Sequence, residues 1–348
     1  MSLGTGLQLR SKKDVSYESS SSMSWDGTDD FATVPIQLPA TTFTVSQWIR
    51  INEDSSTNAS VYVWDARDAS NTNGNIFLPA KTAQTTYKLR WYNAGAYRID
   101  NSTNYPIGVW QHVVLVKDGT TGTIYVDGEK LETATGFSSP DNGAEINLGR
   151  RYAATFAYGE IELDELAIFS SALTAREVDA IYNNGHPGSL LHHSTLLAHY
   201  RMGEGTRGGN RDGDQNLLFD QSKNGGVGSE LVSNTDFSSA SGWNLDTNAS
   251  ISGGKLVLTG SSGISYVTLD LTDGAAYEVK FTLENLTSGT VKPYLNGTNG
   301  TVRSANGTYT EIVLAGSSNT IVGINPSGTM EIDNFSVKKI QNAGTISG

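Results

Sequence analysis

The sequence predicts an all-β protein with two β-sandwich domains and one short helix that closes the first. Short apolar runs alternate with turns rich in glycine, asparagine and aspartate along nearly all 348 residues, a pattern typical of strands joined by tight turns. Only one stretch carries the start signals of a helix. The length allows two domains at roughly 100–200 residues each, and no apolar run approaches the ~18 residues that a membrane span needs.

Charge and cysteine content limit the partners. The net charge of −12 and the pI near 4.8 would repel a phosphate backbone, which argues against nucleic acid. Acidity suits divalent cations and neutral glycans, although many soluble proteins are acidic without a ligand. The absence of cysteine favours a bacterial or viral source. No signal peptide is visible, and we expect an extracellular or virion location without membrane insertion.

The domain organisation follows from composition. Glycine-rich sequence with few periodic runs separates two β-rich blocks, although residues 196–201 could form a short strand. We predict an N-terminal tail at 1–20, a first domain at 21–186, a linker at 187–229, a second domain at 230–341 and a tail at 342–348.

Strand signals in the first domain are period-two alternation and Asp-Gly turns. Residues 43–51 alternate apolar and polar side chains, as a half-buried strand does. Asp118-Gly119 and Asp127-Gly128 each stand between two such runs. This placement predicts type I′ hairpins, because both central residues of that turn need positive φ.

The helix is marked by a capping box. Thr174 and Glu177 have the spacing at which each side chain accepts a hydrogen bond from the other residue's backbone amide. Val178, Ile181 and Tyr182 then fall on one helical face. We expect this helix to cover an edge or mouth of the first sandwich.

In the second block, strand-like runs at 255–258, 277–283 and 332–337 are separated by glycine and asparagine turns. Predicted strands recur every ~8–12 residues, the rhythm of a sandwich or jelly roll.

Five segments in order, at 24–31, 43–48, 110–114, 124–128 and 163–169, resemble the laminin-G-like, concanavalin A-like lectin/glucanase superfamily. The resemblance covers about residues 22–185. It implies a two-sheet lectin fold, which serves binding proteins, hydrolases and structural spacers alike.

The second block resembles the jelly-roll carbohydrate-binding modules appended to bacterial glycanases and phage tail proteins, through residues 230–237, 242–243 and 332–337. The two modules together are similar to phage tail or structural proteins. The resemblance implies a non-catalytic carbohydrate-binding or adhesive protein of a phage virion or bacterial surface. Its partner would be a glycan or polysaccharide, and the protein would assemble as a homo-oligomer or within a virion.

The sharpest chemical candidate is an acidic strand. Glu160, Glu162 and Asp164 share one face of it, and the apolar residues at 166 and 168 continue that face. Retaining glucanases of the superfamily carry Glu-x-Asp-x-Glu on such a strand, and this chain departs from that pattern by placing Asp164 at the acid/base position. A glycoside hydrolase is therefore the first alternative to binding, and loss of reducing-sugar release in Glu160→Gln would be its signature. A structural spacer without ligand is the second.

Calcium is the other use of these carboxylates. Clustered aspartate oxygens are ligands that Ca²⁺ prefers, and the resemblance implies a structural ion between an early Asp-Gly loop and the late acidic strand. We expect Asp26, Asp29, Asp30 and Asp164 to be its ligands. The alternative is that Asp26 belongs to a simple turn and that Asp164 is solvated or paired with the arginines at 150 and 151.

Sugar binding requires aromatic platforms flanked by polar groups, whereas aromatic residues in strands more often build the core. His112 lies on a predicted strand and is expected to be structural. The candidate ligand-binding residues are Trp64, Trp91, Tyr92 and Tyr97 in the first domain, and Trp243, Tyr266, Tyr294 and Arg303 in the second.

Overall fold

The computed structural model describes residues 22–52, 60–67, 74–140, 142–152, 158–187, 190, 193–202, 206–207, 210–211 and 217–347. The predicted tail at 1–20 lies outside these residues. The chain forms two compact units. The first comprises Met1–Gly205, Arg211–Gly225 and Gly344–Gly348, and the second comprises Thr206–Asn210 and Gly226–Ala343.

The regular secondary structure of the described residues is almost entirely β, as predicted. The first sixteen strands and the helix are β1 (Met23–Asp26), β2 (Phe31–Val34), β3 (Thr42–Ile51), β4 (Trp64–Asp65), β5 (Asn75–Phe77), β6 (Ala80–Ala83), β7 (Thr86–Lys88), β8 (Arg90–Asn93), β9 (Ala96–Asp100), β10 (Tyr105–Pro106), β11 (Gln111–Asp118), β12 (Thr121–Val126), β13 (Glu129–Thr135), β14 (Ile146–Leu148), β15 (Glu160–Phe169), α1 (Ala175–Tyr182) and β16 (Leu196–Tyr200).

The later strands are β17 (Thr206–Arg207), β18 (Asn210–Arg211), β19 (Leu217–Leu218), β20 (Gly226–Glu230), β21 (Ala249–Ser252), β22 (Lys255–Ser261), β23 (Ser265–Thr268), β24 (Ala276–Leu295), β25 (Thr298–Asn299), β26 (Gly307–Leu314), β27 (Ile321–Gln341) and β28 (Gly344–Ser347).

The first unit contains a small sheet of order β10-β7-β6 and two large antiparallel sheets. One has the order β1-β15-β3-β11-β12-β13, with β16 also paired to β15, and the other has the order β19-β28-β2-β14-β4-β5-β8-β9. Alternate side chains of both sheets meet in one core, where Phe43 of β3 lies 6.1 Å from Trp91 of β8 between ring centroids. The first unit is therefore the predicted two-layer sandwich.

The two Asp-Gly turns of the first sheet differ. Asp127 and Gly128 both have positive φ, 51° and 84°, which confirms the type I′ turn between β12 and β13. At the other turn, Asp118 pairs with Thr121, so the central residues are at 119 and 120. Only Gly119 of that pair has positive φ, 56°, and this is the type II′ arrangement.

Helix α1 begins with the predicted capping box. The Thr174 hydroxyl accepts a hydrogen bond from the amide of Glu177 at 3.3 Å, and the Glu177 carboxylate accepts one from the amide of Thr174 at 2.7 Å. Val178 and Ile181 are buried in a small cluster with side chains of β11, β12 and β15. The helix thus covers the outer face of the first sheet, rather than an edge or mouth. Among the described residues, no helix has the length and apolarity to cross a bilayer.

The structure differs from the predicted linker at 187–229. Ala198 and Tyr200 of β16 lie in the first unit's core, Leu196 lies in the cluster beneath α1, and β16 pairs with β15. Leu217 and Leu218 form β19 in the second sheet. Much of this glycine-rich segment is therefore part of the first sandwich, because its few apolar residues have the spacing of strand positions.

The predicted C-terminal tail also differs. Gly344–Ser347 is strand β28, which pairs with β2 and β19 in the first unit. Gly344 fits closely there, since an added Cβ would lie 2.9 Å from the carbonyl oxygen of Thr33. The main segment of the second unit, Gly226–Ala343, is thus inserted into the chain of the first between β19 and β28.

The second unit is one antiparallel eight-stranded sheet in which β24 and β27 pair along most of their length. The register between them shifts between Glu284 and Ser288, and such interruptions let a sheet bend. The apolar faces of these strands enclose a separate core. This agrees with the β-sandwich predicted at 230–341.

Candidate functional site

Strand β15 carries the acidic residues on the face turned away from the core. Ile161 and Leu163 are fully buried in the core, so Glu160, Glu162 and Asp164 face the opposite side of the first sheet, as predicted. The contacts of each carboxylate determine whether it is available for catalysis or cation binding.

Glu162 is fully engaged by neighbouring donors. The Arg50 guanidinium forms an ion pair with it, including a bond from Nε at 2.9 Å. The side chains of Asn52 and Ser22 each donate to the carboxylate at 3.3 Å. These contacts hold Glu162 as the partner of Arg50, rather than as one member of an open pair of acids.

Asp164 begins a β-bulge. The register between β15 and β3 shifts between Asp164 and Ala167, and Glu165 has φ 50°. Because one extra residue is accommodated here, Leu166 and Ile168 join Ile161 and Leu163 in the inner core. The prediction that residues 166 and 168 continue the acidic face therefore does not match the structure.

The bulge creates a buried ionic cluster that was not predicted from the sequence. Glu165 is 4% exposed; its carboxylate lies 2.5 Å from His199 Nε2 and 3.3 Å from Arg201 Nε. Asp164, 7% exposed, accepts a hydrogen bond from the amide of Glu165 at 2.8 Å. The sequence features that could have indicated this cluster are an acidic pair inside an apolar strand and a histidine in the possible strand at 196–201.

The early acidic loop is brought together as predicted, but without Asp164. Carboxylate oxygens of Asp26, Asp29 and Asp30 lie within 4.8 Å of one another. Asp26 pairs with Glu160, so Asp164 lies four residues further along β15, roughly 13 Å away. Three oxygen donors of the type that Ca²⁺ prefers therefore share one exposed loop, and Asp164 belongs to a different environment.

Two of the predicted aromatic platforms are core residues. Trp64 and Trp91 are at most 1% exposed. The Trp64 indole donates to Gln47 Oε1 at 3.0 Å, and the Trp91 indole donates to Asn75 Oδ1 at 3.1 Å. The structure thus differs from the prediction that these rings bind ligand, because both faces and the polar edge of each are used inside the sandwich.

Trp243 is likewise a core residue of the second unit. It is 7% exposed and packs against Phe237 and Phe335 at ring-centroid distances of 4.8 and 5.6 Å. Its indole donates to the Asn234 carbonyl at 3.1 Å. Its predicted role as a ligand platform is therefore replaced by a structural one.

Tyr92 and Tyr97 do lie at the surface, where β8 pairs with β9. The rings meet edge to face at 5.9 Å and 81°, and Tyr97 is 47% exposed. The Arg90 guanidinium lies 5.1 Å from the Tyr97 ring centroid and is tied to Asp100 by an ion pair at 3.5 Å. We call Arg90, Tyr92 and Tyr97 the Tyr97 surface.

The electrostatic surroundings of the Tyr97 surface include Tyr62. Burial raises the pKa of Tyr62, Tyr97 raises it further, and the nearby Arg151 and Arg67 oppose that rise by lowering it. The phenol therefore stays neutral at physiological pH and can both donate and accept a hydrogen bond. The edge of the second sheet thus presents aromatic rings, hydroxyls and guanidinium groups together.

In the second unit the remaining candidates occupy two separate places. Tyr266 and Tyr294 lie half-buried on strands that both pair with β27. Arg303 lies 4.7 Å above the Tyr309 ring and 3.3 Å from Glu311. These contacts hold Arg303 against β26, whereas the two tyrosines lie on β23 and β24.

His112 has the structural role expected of it. It is 2% exposed, Nε2 lies 2.8 Å from the Ser46 hydroxyl, and the Tyr182 ring of α1 stacks on it at 5.8 Å. Burial lowers the pKa of His112 to about 3. The ring is therefore neutral at physiological pH and helps to join the helix to the first sheet.

Solved structures with a similar arrangement were found at low identity. A heptameric SAP-like pentraxin from Limulus polyphemus is 18% identical, with a TM-score of 0.38, over 45% of this chain and 77% of the pentraxin. A Trypanosoma rangeli sialidase is 18% identical, with a TM-score of 0.33, over 41% of this chain and only 22% of the sialidase. A Bacteroides ovatus protein of inferred carbohydrate-binding function is 16% identical, with a TM-score of 0.40, over 57% of this chain and 55% of that protein.

Comparison with curated proteins gave no match. A family model does match within the first unit, over the segment that contains the acidic loop, the Tyr97 surface, β15 and most of α1. Residues 26–179 match the family described as the concanavalin A-like lectin/glucanases superfamily.

Proposed function

We propose that this chain is a non-catalytic carbohydrate-binding protein whose first unit binds a glycan at the Tyr97 surface. The observation that carries the proposal is the exposed Tyr97 ring, which is held edge to face by Tyr92 and flanked by the Arg90 guanidinium. The family model that matches residues 26–179 includes lectins by its description.

The chemistry of the Tyr97 surface suits a sugar ring. An aromatic face packs against the apolar C–H face of a pyranose, and guanidinium and phenol groups bond its hydroxyls. The Arg90 guanidinium lies against the Tyr97 ring and 3.5 Å from Asp100, so these contacts restrict its orientation before binding. Preorganised side chains lose less conformational entropy when a ligand orders them.

The acidic strand gives the hydrolase alternative less support. Glycoside hydrolysis needs two carboxyl groups facing one bond, one to donate a proton and one to act as nucleophile or base. Here Glu162 is held by Arg50, and Asp164 is 7% exposed and bonded to the amide of Glu165. Glu160, half-buried at the start of β15, is left without an open acidic partner on this strand.

Replacing Tyr97 with alanine is expected to weaken glycan binding about two- to tenfold, because an aromatic contact contributes roughly 0.5–1.5 kcal/mol beyond the area it buries. Binding of the full chain to soluble polysaccharides would be measured by isothermal titration calorimetry. Since Tyr97 is 47% exposed, the change should leave the melting temperature within a few degrees of the wild-type value.

Two controls separate ring chemistry from general damage. Tyr97→Phe keeps the stacking face and should retain most of the affinity. Trp110→Ala removes a half-buried ring that lies 5.5 Å from Arg50, outside the Tyr97 surface, and should leave binding unchanged. Equal affinity of the wild type and Tyr97→Ala would contradict the proposal, and it would favour a structural spacer if neither bound.

We further propose that Asp26, Asp29 and Asp30 hold a structural calcium ion. Their oxygens fit one cation by type and by their 4.8 Å spread. The turn is partly shaped by the aspartates themselves, since Asp26 Oδ1 accepts a hydrogen bond from the amide of Thr28 at 2.7 Å. The ion would offset two of the three negative charges and would fasten the loop between β1 and β2.

Calcium added after EDTA treatment is expected to raise the melting temperature of the full chain, by mass action on the folded state. The triple change of Asp26, Asp29 and Asp30 to asparagine should abolish the rise. Glu129→Gln, which alters an exposed carboxylate on β13, is the matched control and should keep it. A wild-type melting curve that is identical in calcium and EDTA would rule out the ion.

A phage virion or a bacterial surface is the setting we propose for such binding. Assembly into a homo-oligomer would strengthen attachment to a repeating polysaccharide, because linked sites bind with an increased effective concentration. Light scattering of the purified chain would give its assembly state directly.

A further inference from the structure

The second unit presents two tyrosines on one face with a glycine between them. Tyr266 of β23 pairs with Gly323 of β27, and Gly323 also pairs with Tyr294 of β24. Residues directly opposite one another on neighbouring strands point their side chains to the same side of the sheet. The three residues therefore form a lateral Tyr-Gly-Tyr row.

This row lies on the outer face of the sheet. The neighbours of Tyr266, Gly323 and Tyr294 along their strands are core residues, among them Val267, Val322 and Leu295. Both tyrosines are half-buried, and neither belongs to the core cluster. Their rings thus stand on the side of the sheet opposite to the core.

The spacing leaves room for one ring between the tyrosines. Two strand spacings, about 10 Å in all, separate the backbones of the two tyrosines. A carbon framework in contact with an aromatic face lies about 3.5–4.0 Å from it, so a ring between two such faces needs about 7–8 Å. Gly323 places no side chain in this space. An added Cβ there would lie 2.1 Å from the carbonyl oxygen of Ser265 and 2.7 Å from Cα of Tyr266, so β27 approaches β23 too closely for any residue but glycine.

Amide side chains flank the row at both ends. Asn244 exchanges backbone hydrogen bonds with Tyr266 at 2.7 and 2.9 Å, and Asn299 pairs with Tyr294. Asn319 Nδ2 donates to the Tyr294 hydroxyl at 2.8 Å, which fixes the position of that ring. None of these side chains is ionised at neutral pH, so the row offers stacking faces and uncharged hydrogen-bonding groups.

We propose that Tyr266, Gly323 and Tyr294 form a slot that binds an uncharged pyranose ring of a polysaccharide. The slot is a second binding site and goes beyond the function proposed for the Tyr97 surface, because it uses different residues in a different unit. Stacking on two tyrosines supplies the affinity, and the asparagine amides bond the hydroxyls at the rim of the sugar ring.

The experiment separates the slot from the Tyr97 surface. Full-length Tyr97→Ala would be titrated calorimetrically with four neutral polysaccharides: laminarin, xylan, galactomannan and dextran. Tyr266→Ala, Tyr294→Ala and both together would then be added to that background. Each single change should weaken the remaining binding about three- to tenfold, and the double change should abolish it. Tyr266→Phe and Tyr294→Phe keep the rings and should retain binding, and circular dichroism melts would check folding.

Three results would overturn the slot, and they also distinguish it from the first site. If Tyr97→Ala alone abolishes all binding, the Tyr97 surface stands and the slot does not. If binding persists unchanged after both tyrosines of the slot are removed, another surface is responsible. If the wild type binds none of the four polysaccharides, both sites are refuted for neutral glycans.

Discussion

Substituting Asp65 with alanine is expected to lower the free energy of unfolding of the first unit by about 3–5 kcal/mol, the cost typical of breaking a buried ion pair. Asp65 is fully buried and Arg67 is 4% exposed. The carboxylate accepts hydrogen bonds from the Arg67 guanidinium and backbone amide, and from the amide of Tyr152 at 2.9 Å. Alanine removes the counter-charge and several acceptors at once.

Urea unfolding followed by tryptophan fluorescence would measure this loss, since five of the six tryptophans lie between residues 25 and 110. Glu162→Ala is the matched control, because it breaks the Arg50 ion pair, in which Arg50 is 36% exposed; it should cost at most about 1 kcal/mol. Adding Arg67→Met to Asp65→Ala should recover part of the stability. A loss below 1 kcal/mol for Asp65→Ala would contradict the interpretation of this pair.

Local sequence patterns were sufficient to predict most of the strands and the helix. Period-two alternation located β3, β11 and β12, and the capping box located α1, because these signals depend only on neighbouring residues. The chain's return to the first unit depends on pairing between Gly344–Ser347 and strands more than 100 residues earlier. Nothing in the local sequence of β28 specifies such a partner.

The alternation of side chains along a strand does not determine which aromatic rings are exposed. Trp91 and Tyr92 are adjacent in β8, so alternation places them on opposite faces, but it does not say which face is inside. The structure buries Trp91 against Phe43 and Phe137 and leaves Tyr92 outside. The larger, more apolar ring went to the core, which the burial gain per ring would favour.

The buried cluster around Glu165 could not be predicted from the sequence for a different reason. A β-bulge changes which residues face the core, whereas simple alternation along β15 would place Asp164 on the acidic face and Glu165 on the apolar one. Once Glu165 adopts φ 50°, its carboxylate reaches His199 and Arg201. His199 and Arg201 lie more than 30 residues from Glu165 in the sequence. The cluster could therefore be identified only from the three-dimensional structure.

Trp243→Ala is expected to destabilise the second unit by about 3–5 kcal/mol, the cost of removing a large buried aromatic side chain. The indole fills space between Phe237 and Phe335 and satisfies the Asn234 carbonyl. Hydrogen exchange measured on peptides from 226–343 would report the loss within this unit as faster exchange of core amides. Val302→Ala, at a side chain 55% exposed, is the control and should change exchange little.

Trp243→Phe separates packing from a role in ligand binding. Phenylalanine keeps contact with both neighbouring rings and loses mainly the indole hydrogen bond, worth about 1 kcal/mol, so most of the protection should return. A platform that bound sugar would behave in the opposite way: alanine would remove binding and leave exchange unchanged. Unchanged exchange in Trp243→Ala would therefore refute the core role, whereas faster exchange would leave the half-buried Tyr266 and Tyr294 as the unit's aromatic candidates for stacking on a glycan.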